Sequence, residues 1–577
     1  MTHSSLQSTI QIVVDKEASS PWQDHPIGGI ALLLERTAEL FVYYGDPLAY
    51  ETAERMGVTP SEVYFEAIFP AVWGALSLCK SLRRADPNLS LRQFLRQISP
   101  LPLTDFAGLP ACQLLPANRL EKLLLPGVKG YVLFNEEKSP NRLGPADPQG
   151  EQENDNNGIA LCLLPFNLVS IRALDVLHLL CNQGRRVIAK VSEKAGFGGP
   201  YLEKIFSPFV EQNALSFVYG GPDTGALLVE QPIFDTIHVT GSIPTGNAIK
   251  QAAGSRRMTM ELGGVTAAIV FPDVFTRGVE EIRQVARQIA YGTLANNGQH
   301  CVSYQIVVVP EKCGGSLKTL LWEEILLAAG REGEQGGNRL LIDSASASRL
   351  EKKVAVLSEA GASVLPPFAK LADRGFPATL IAGIDAGSYF LREEAFGPVA
   401  ALLTLPDDSF ARDALDFANS SALAGDLGIS LFTADPLTPE MKRMAAELRH
   451  GVVAMNAYPG IAFATSLPWG AGPLGLSGEG WSHNYRFLPE NEIRKVVLVS
   501  PLGKKKLGPL QWEDPWLLNV SGESSFRLAK GIVRSSLAFF QGRKWELFKA
   551  QLELFRALFQ RETQARTIDR RQHLGPS

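Results

Sequence analysis

Ile159-Ala160-Leu161-Cys162-Leu163-Leu164 and Arg185-Arg186-Val187-Ile188-Ala189-Lys190 are two apolar runs of strand length, separated by a helical pattern from Ser170 to Cys181. The alternation continues. Leu215-Ser216-Phe217-Val218-Tyr219 reads as a third strand and Asp235-Thr236-Ile237-His238-Val239-Thr240 as a fourth. Helices are expected from about Tyr201, from Pro222 through Val229, and from near Thr245. Strands that alternate with helices of this length imply a parallel sheet with helices on both faces. Ligands in such sheets bind outside the carboxyl ends of the strands.

Those ends carry the first candidate residues. The turn Thr240-Gly241-Ser242-Ile243-Pro244-Thr245-Gly246 joins a strand to a helix. Small residues there let the backbone approach a phosphate, and the helix N-terminus offers unpaired N–H groups and a positive dipole end. Lys190 ends a strand and Glu193 lies three residues on, where both reach a nucleotide ribose. An acidic residue suits the 2′-hydroxyl of NAD and repels the 2′-phosphate of NADP. Pro165-Phe166-Asn167 ends the first strand. The Asn167 amide there either donates to an oxyanion or caps the next helix.

A second α/β unit runs from about Thr266 to Arg449, with strands at Ala267–Phe271, Gln305–Pro310, Pro398–Leu405 and Ile429–Thr433. Within it, a helical run from Glu280 to Leu294 leads into Asn296-Asn297-Gly298-Gln299-His300-Cys301. Helix, glycine turn and thiol together present a nucleophile at a cleft. A lone cysteine, taken by itself, more often behaves as a small buried hydrophobe. Met260-Glu261-Leu262-Gly263-Gly264 places a carboxylate before two glycines, as a general base for the thiol or for a later water. Pro468-Trp469-Gly470-Ala471-Gly472 to Gly478-Glu479-Gly480 reads as a glycine-rich surface loop, followed by a strand at Lys495–Ser500.

The whole chain bounds these readings. Its 577 residues imply two or more packed units. Apolar content of 45% and charged content of 20% are ordinary for a globular protein, and a formal charge of −4 gives no hint of a nucleic-acid partner. The six cysteines, Cys79, Cys112, Cys162, Cys181, Cys301 and Cys313, are scattered and show no metal-ligand spacing, so reduced thiols in the cytoplasm are expected. Met1-Thr2-His3-Ser4-Ser5-Leu6 shows no secretory pattern, and no apolar run of about 18 residues suggests a membrane span.

The flanks differ in character. Pro26 to Ile98 reads as a helical layer, with Ile30, Leu33, Leu34, Ala38, Leu40 and Phe41 in a stripe. Glu136 to Gly158 is polar and rich in proline, glycine and asparagine, so a flexible loop is expected. After Pro501 come the cluster Lys504-Lys505-Lys506 and an amphipathic helix carrying Leu537, Phe540, Phe548, Leu552, Phe555 and Phe559. It reads first as a helix docked on the protein's own body, with peripheral membrane contact as the other use of such a face.

Taken together, the motifs resemble the aldehyde dehydrogenase superfamily over roughly Ile159 to Val499. Asn296-Asn297-Gly298-Gln299-His300-Cys301 is similar to its nucleophile motif and Met260-Glu261-Leu262-Gly263-Gly264 to its general-base motif. Pro165-Phe166-Asn167, Lys190-Val191-Ser192-Glu193, Thr240-Gly241-Ser242, Glu393-Glu394-Ala395-Phe396-Gly397-Pro398 and Pro468-Trp469-Gly470 follow in the family's order. The chain departs from the pattern at Val265, Ala267, Ala268 and His300, which either tunes the thiol or lines the pocket. The resemblance implies a Rossmann-type nucleotide-binding domain over 159–265 and a second α/β catalytic domain over 266–460. A helical layer (1–135), a loop (136–158), a return loop and strand (461–500) and a C-terminal extension (501–577) complete the expected division.

It further implies oxidation of an aldehyde to a carboxylic acid through a thiohemiacetal and a thioester on Cys301. Asn167 holds the oxyanion and Glu261 activates water. Lys190 and Glu193 hold the adenosine ribose. Gly221, Gly225, Thr240, Gly241 and Ser242 lie along the rest of the cofactor, and Glu394 and Phe396 hold the nicotinamide ribose. The cofactor is NAD, with NADP open, and the partner is a small aldehyde, with a homodimer as a compatible assembly. Two other readings stand beside this one: a CoA-acylating enzyme or acyl reductase on the same fold, and a nucleotide-binding scaffold without turnover.

Overall fold

The computed structural model describes residues 21–97, 102–135, 158–330, 338–366, 373–472, 475, 478, 480–502, 523–547, 549–551 and 553. The expected loop before Gly158, the lysine cluster at 504–506 and the positions of Phe548, Leu552, Phe555 and Phe559 lie outside these residues.

The helical layer begins with α1 (Ile27–Tyr43), α2 (Gly45–Met56) and α3 (Pro60–Leu82). The α1 stripe of Ile27, Ile30, Ala31, Leu34, Ala38 and Phe41 is buried against α3, as its i, i+3, i+4 spacing predicts. Thr59 caps α3 by accepting from the Glu62 amide, and Pro60 follows in the first turn, where its missing N–H costs nothing. Among the described residues α3 is the one helix long and apolar enough to cross a membrane, and its window is buried throughout. It packs on α1 and on α4 (Val169–Leu177), and Gly74 permits the close approach to α4: a Cβ there would lie 2.4 Å from Leu174 Cδ2. Within α3, Tyr64–Ile68 widens into a π-helical turn.

The helical layer ends earlier than the sequence suggests. Residues read as part of it form β1 (Thr104–Phe106), β2 (Leu109–Leu115) and β3 (Lys129–Phe134), an antiparallel ribbon. The β1–β2 turn has Ala107 at φ 55° and Gly108 at φ 86°. Two left-handed residues match the twist of a tight hairpin, but alanine is an uncommon choice for such a turn, which hides the hairpin from the sequence.

The nucleotide sheet is β4 (Ile159–Leu163), β5 (Arg186–Ser192), β6 (Leu215–Gly220), β7 (Phe234–Gly241) and β8 (Arg257–Leu262). All its pairings are parallel, in the order β6-β5-β4-β7-β8. The order reverses at β4, so the crevice expected for a ligand opens at the carboxyl ends of β4 and β7. Helix α5 (Ile243–Ala253) starts at that end of β7.

The second sheet holds β9 (Thr266–Val270), β10 (Tyr304–Pro310), β12 (Ser363–Leu365), β14 (Thr379–Ile384), β15 (Val399–Leu405), β16 (Gly428–Phe432), β17 (Val452–Met455) and β20 (Ile493–Val499). With the β1–β3 ribbon it makes eleven strands, ordered β1-β2-β3-β20-β17-β16-β9-β10-β15-β14-β12. Seven central strands run parallel, and β3 and β12 add antiparallel neighbours at either side. Two small ribbons complete the strands. One pairs β11 (Asn338–Leu340) with β13 (Gly375–Pro377), the other β18 (Trp469–Gly472) with β19 (Gly480–His483). The latter corrects the surface loop read at Pro468–Gly480: Trp469, Gly470, Ala471 and Gly472 are buried strand, and Gly470 at φ 159° and Gly472 at φ 75° supply its irregular register.

Helix α6 (Val279–Leu294) leads to the nucleophile turn, and α7 (Glu523–Phe540) returns to the helical layer. There Leu528, Ala529, Ile532 and Val533 are buried and α7 contacts α3. Leu537 and Phe540 of the expected amphipathic face are half-buried against the same core, but the helix ends at Phe540 instead of continuing toward Phe548.

Candidate active site

Cys301 sits between α6 and β10, in a turn of unusual backbone. Asn296, Asn297 and Gly298 have φ of 48°, 56° and 70°, three left-handed residues in succession. Asparagine tolerates that region better than most side chains. At Gly298 there is no substitute for glycine, because a Cβ would lie 2.2 Å from the carbonyl of Gly397. Side chains hold the turn as well. Asn297 Nδ2 donates to the carbonyls of Met56, Gly57 and Leu340, and the Asn296 amide donates to Glu62 Oε1 at 2.8 Å.

The Cys301 thiol donates to Glu261 Oε1, with sulfur and oxygen 3.8 Å apart. Glu261, at the end of β8 and 1% exposed, also accepts from Trp469 Nε1 at 2.8 Å and from the Ser482 hydroxyl. Burial raises its pKa to about 7, helped by the charge of Asp175, while the two donors pull it back. Burial likewise pushes the Cys301 thiol well above its usual range, and the charges of Glu261 and Glu394 add to that rise. Asp175 belongs to a buried group: it accepts from Thr240 Oγ1 at 2.8 Å and lies 3.4 Å from His238 Nε2, whose other ring nitrogen meets Thr259 Oγ1 at 2.8 Å. His238 pairs across the strands with Thr259, and Thr240 with Glu261.

Asn167 lies beside the nucleophile turn. Its Nδ2 donates to the Gln299 carbonyl at 3.0 Å, two residues before Cys301. It does not cap the following helix, whose N-cap is Leu168 without a side-chain bond. One of the two readings for Asn167 therefore falls away. His300 turns toward the helical layer: Nδ1 meets Tyr458 Oη at 3.1 Å, and Nε2 lies 2.8 Å from Glu66 Oε2, off the line of a ring hydrogen bond. A narrow cavity opens in front of Cys301, walled by Phe65, Leu168, Ile171, Tyr291, Phe463 and Trp469, with Glu66, His300 and Tyr458 at its side.

The nucleotide candidates fall into two groups. Lys190 is buried two residues before the end of β5, which runs on to Ser192 rather than stopping at Lys190 as read, and its pKa is lowered by burial against the opposing pull of Glu193. Glu193 is exposed beside Gly221, where a Cβ would come within 2.9 Å of Glu193 Oε2. Around Gly225 and Gly241 there is open space, and Ser242 caps α5 by accepting from the Thr245 amide. Thr240 departs from expectation in its side chain, which turns inward to Asp175 and leaves its backbone for the crevice.

At the other end, Glu394 crowds Gly263, where an added Cβ would lie 2.5 Å from Glu394 Oε2. Its Oε1 is buried without a partner, and burial raises its pKa to about 8. Phe396 packs edge-on against Phe166, 5.7 Å between centroids. The sequence points to neither Ser482 nor Glu62 and Glu66. The available signal for the last two is a pair of carboxylates four residues apart inside an apolar helix.

A thiol, a carboxylate with a raised pKa and an amide donor thus meet beside an open glycine-lined crevice at the carboxyl end of a parallel sheet. The profile of the aldehyde dehydrogenase family matches residues 149–485, more than half of the chain, and the protein belongs to that family. It is 26% identical over 342 residues to a probable coniferyl aldehyde dehydrogenase of Pseudomonas aeruginosa, covering 59% of this chain and 68% of that protein. It is 30% identical over 308 residues to betaine aldehyde dehydrogenase 2 of Rhizobium meliloti, covering 52% and 60%. The fold is similar to the Pseudomonas syringae indole-3-acetaldehyde dehydrogenase AldA in complex with NAD+ and IAA, with a TM-score of 0.64 at 18% identity over 86% of this chain and 89% of that one. It is also similar to the glyceraldehyde-3-phosphate dehydrogenase GapN of Methanocaldococcus jannaschii complexed with NADP, at 0.61 and 18% over 87% and 95%.

Proposed function

We propose that this chain oxidises an apolar aldehyde to a carboxylic acid with NAD(P), using Cys301 as nucleophile, Glu261 as general base and Asn167 as oxyanion donor. The observation that carries the reading is the 3.8 Å contact from Cys301 Sγ to Glu261 Oε1 at the mouth of the apolar cavity. Glu261 takes the thiol proton and the sulfur attacks the aldehyde carbon. The second N–H of the Asn167 amide and the backbone N–H of Cys301 hold the oxyanion of the thiohemiacetal. NAD or NADP supplies one thing when bound, an acceptor for the hydride. Glu261, having released its first proton, then removes one from the water that hydrolyses the thioester on Cys301.

The crevice fits that cofactor. Gly225 and Gly241 leave room for a backbone approach, and the orphaned Oε1 of Glu394 is an acceptor awaiting a hydroxyl donor. In this reading Lys190 and Glu193 hold the adenosine ribose, and the exposed carboxylate of Glu193 favours NAD over NADP. Gly221, Gly225, Gly241, Ser242 and the Thr240 backbone border the phosphates, while Glu394 and Phe396 hold the nicotinamide ribose. The division into a cofactor domain over 159–265 and a catalytic domain over 266–460 follows from these roles. The six free cysteines support a cytoplasmic setting, and a homodimer remains part of the proposal.

The test is NADH formation across a panel of apolar aldehydes, with and without CoA. Turnover is expected without CoA and is expected to vanish in Cys301→Ala. A Cys301→Ala protein with full aldehyde-dependent NADH formation overturns the reading. Acyl-CoA as the product moves it to the CoA-acylating alternative.

A further inference from the structure

The turn that carries the nucleophile is gripped from outside the family-matched region. Glu62 and Glu66 lie four residues apart on α3, so both face the same side of the helix. Glu62 Oε1 accepts from the Asn296 backbone amide at 2.8 Å, at the first of the three left-handed residues. Glu66 Oε2 lies 2.8 Å from Nε2 of His300, the residue directly before the nucleophile. Both carboxylates are buried, at 2% and 8% exposure, among mostly apolar neighbours. Burying two acidic side chains in a core costs several kcal/mol unless each meets a partner, so their presence calls for a use. Glu66 stands in the π-helical turn Tyr64–Ile68, an irregularity that costs helix regularity and recurs at functional sites. Its backbone carbonyl takes a bond from Ser170 Oγ at 2.7 Å, so the turn is pinned to α4, next to Asn167.

We propose that Glu62 and Glu66 are positioning residues for the nucleophile: they fix the turn Asn296–His300 so that the Cys301 sulfur faces Glu261 and the cavity. The proposal rests on Cys301 being the nucleophile. Neither carboxylate touches the sulfur, and each acts through the backbone or side chain of the turn. Glu62 holds the start of the turn, and Glu66 holds the far end by keeping the His300 ring between itself and Tyr458. Misplacing a reacting atom by about 1 Å costs about 100-fold in rate, so loss of either grip is expected to be felt at the sulfur.

The experiment compares full-length wild type with Glu62→Ala, Glu62→Gln, Glu66→Ala and Glu66→Gln. Three quantities are read: the rate of Cys301 carboxamidomethylation by iodoacetamide (followed on its peptide by mass spectrometry), kcat and KM for one apolar aldehyde, and the melting temperature. Glu62→Gln keeps an acceptor for the Asn296 amide and is expected to stay within about 3-fold of wild type in kcat, whereas Glu62→Ala falls about 10- to 100-fold. Glu66→Ala is expected to fall by a similar factor in kcat, with a separate change in KM because Glu66 also borders the cavity, and Glu66→Gln to lie between it and wild type in kcat. The alkylation rate at fixed pH is expected to change in step with kcat. Variants whose alkylation rate and kcat both match wild type overturn the proposal, and so does a fall in melting temperature alone. Alkylation needs no aldehyde or cofactor, so it reads the grip on the sulfur even where wild type proves to have no dehydrogenase activity.

Discussion

Glu261 accepts hydrogen bonds from Trp469 and Ser482 and from the thiol it is proposed to activate. Its carboxyl is raised to about 7 by burial and by Asp175. A base is active in its deprotonated form, so turnover limited by thioester hydrolysis is expected to rise with pH through about 7 and then level off. In Glu261→Gln the rise is expected to disappear, with the NADH burst slowed because the thiol loses its base and steady-state turnover down by about 100-fold or more. The same substitution removes a negative charge beside a thiol whose pKa is pushed up by burial, Glu261 and Glu394. The pH profile of Cys301 alkylation is therefore expected to move to lower pH in Glu261→Gln. An upward move would show that the carboxylate favours the thiolate rather than opposing it. Cys301 and Glu261 were legible in the sequence because each sits in a short local motif. Their partners were not, since Trp469 and Ser482 come to Glu261 from a ribbon more than 200 residues away in the chain.

The nucleophile turn is an element held by its backbone. Gly298 has a φ of 70°, and a Cβ added there would lie 2.2 Å from the Gly397 carbonyl. Gly298→Ala is expected to cost about 1–3 kcal/mol in stability from strain and to displace Cys301, seen as a lower melting temperature together with lost iodoacetamide reactivity. A variant that melts and reacts like wild type would show the turn to be more yielding than its contacts suggest. The parallel sheet β4–β8 was readable from alternating strands and helices, because buried strands announce themselves by composition. The β1–β3 ribbon was not, for its turn uses alanine where hairpins favour asparagine or glycine. The strand at Trp469 was obscured by its glycines, which suit an irregular, tightly approached ribbon as well as a loop.

Across the whole molecule the helical layer joins both ends of the described chain. Helix α7 rests on the outer face of α3: Phe526 packs edge-on against Tyr64 at 5.2 Å, Lys530 pairs with Asp46, and Asp46 also takes the Tyr64 hydroxyl. The π-helical turn bearing Glu66 thus lies between the nucleophile turn and the C-terminal helix. Leu528 and Ile532 are 0% and 2% exposed. Truncating either to alanine is expected to cost about 2–5 kcal/mol and to lower the melting temperature measurably. An unchanged melting transition in both variants would show that α7 adds no stability to the layer. That dependence between distant segments was invisible in the sequence, where amphipathic periodicity shows that α7 has an apolar face but not what covers it.

The Lys530–Asp46 pair spans 484 residues of chain. At ribosomal rates of about 5–20 residues per second, Asp46 is made about 25 to 100 s before Lys530. The nucleophile turn is made partway through that interval, and from Cys301 onward about 11 to 46 s remain before Lys530, during which α3 and the turn exist without the helix that covers α3. Until α7 is made, the face of α3 that it covers stands open, so the layer behind the nucleophile turn is completed only after the turn itself exists.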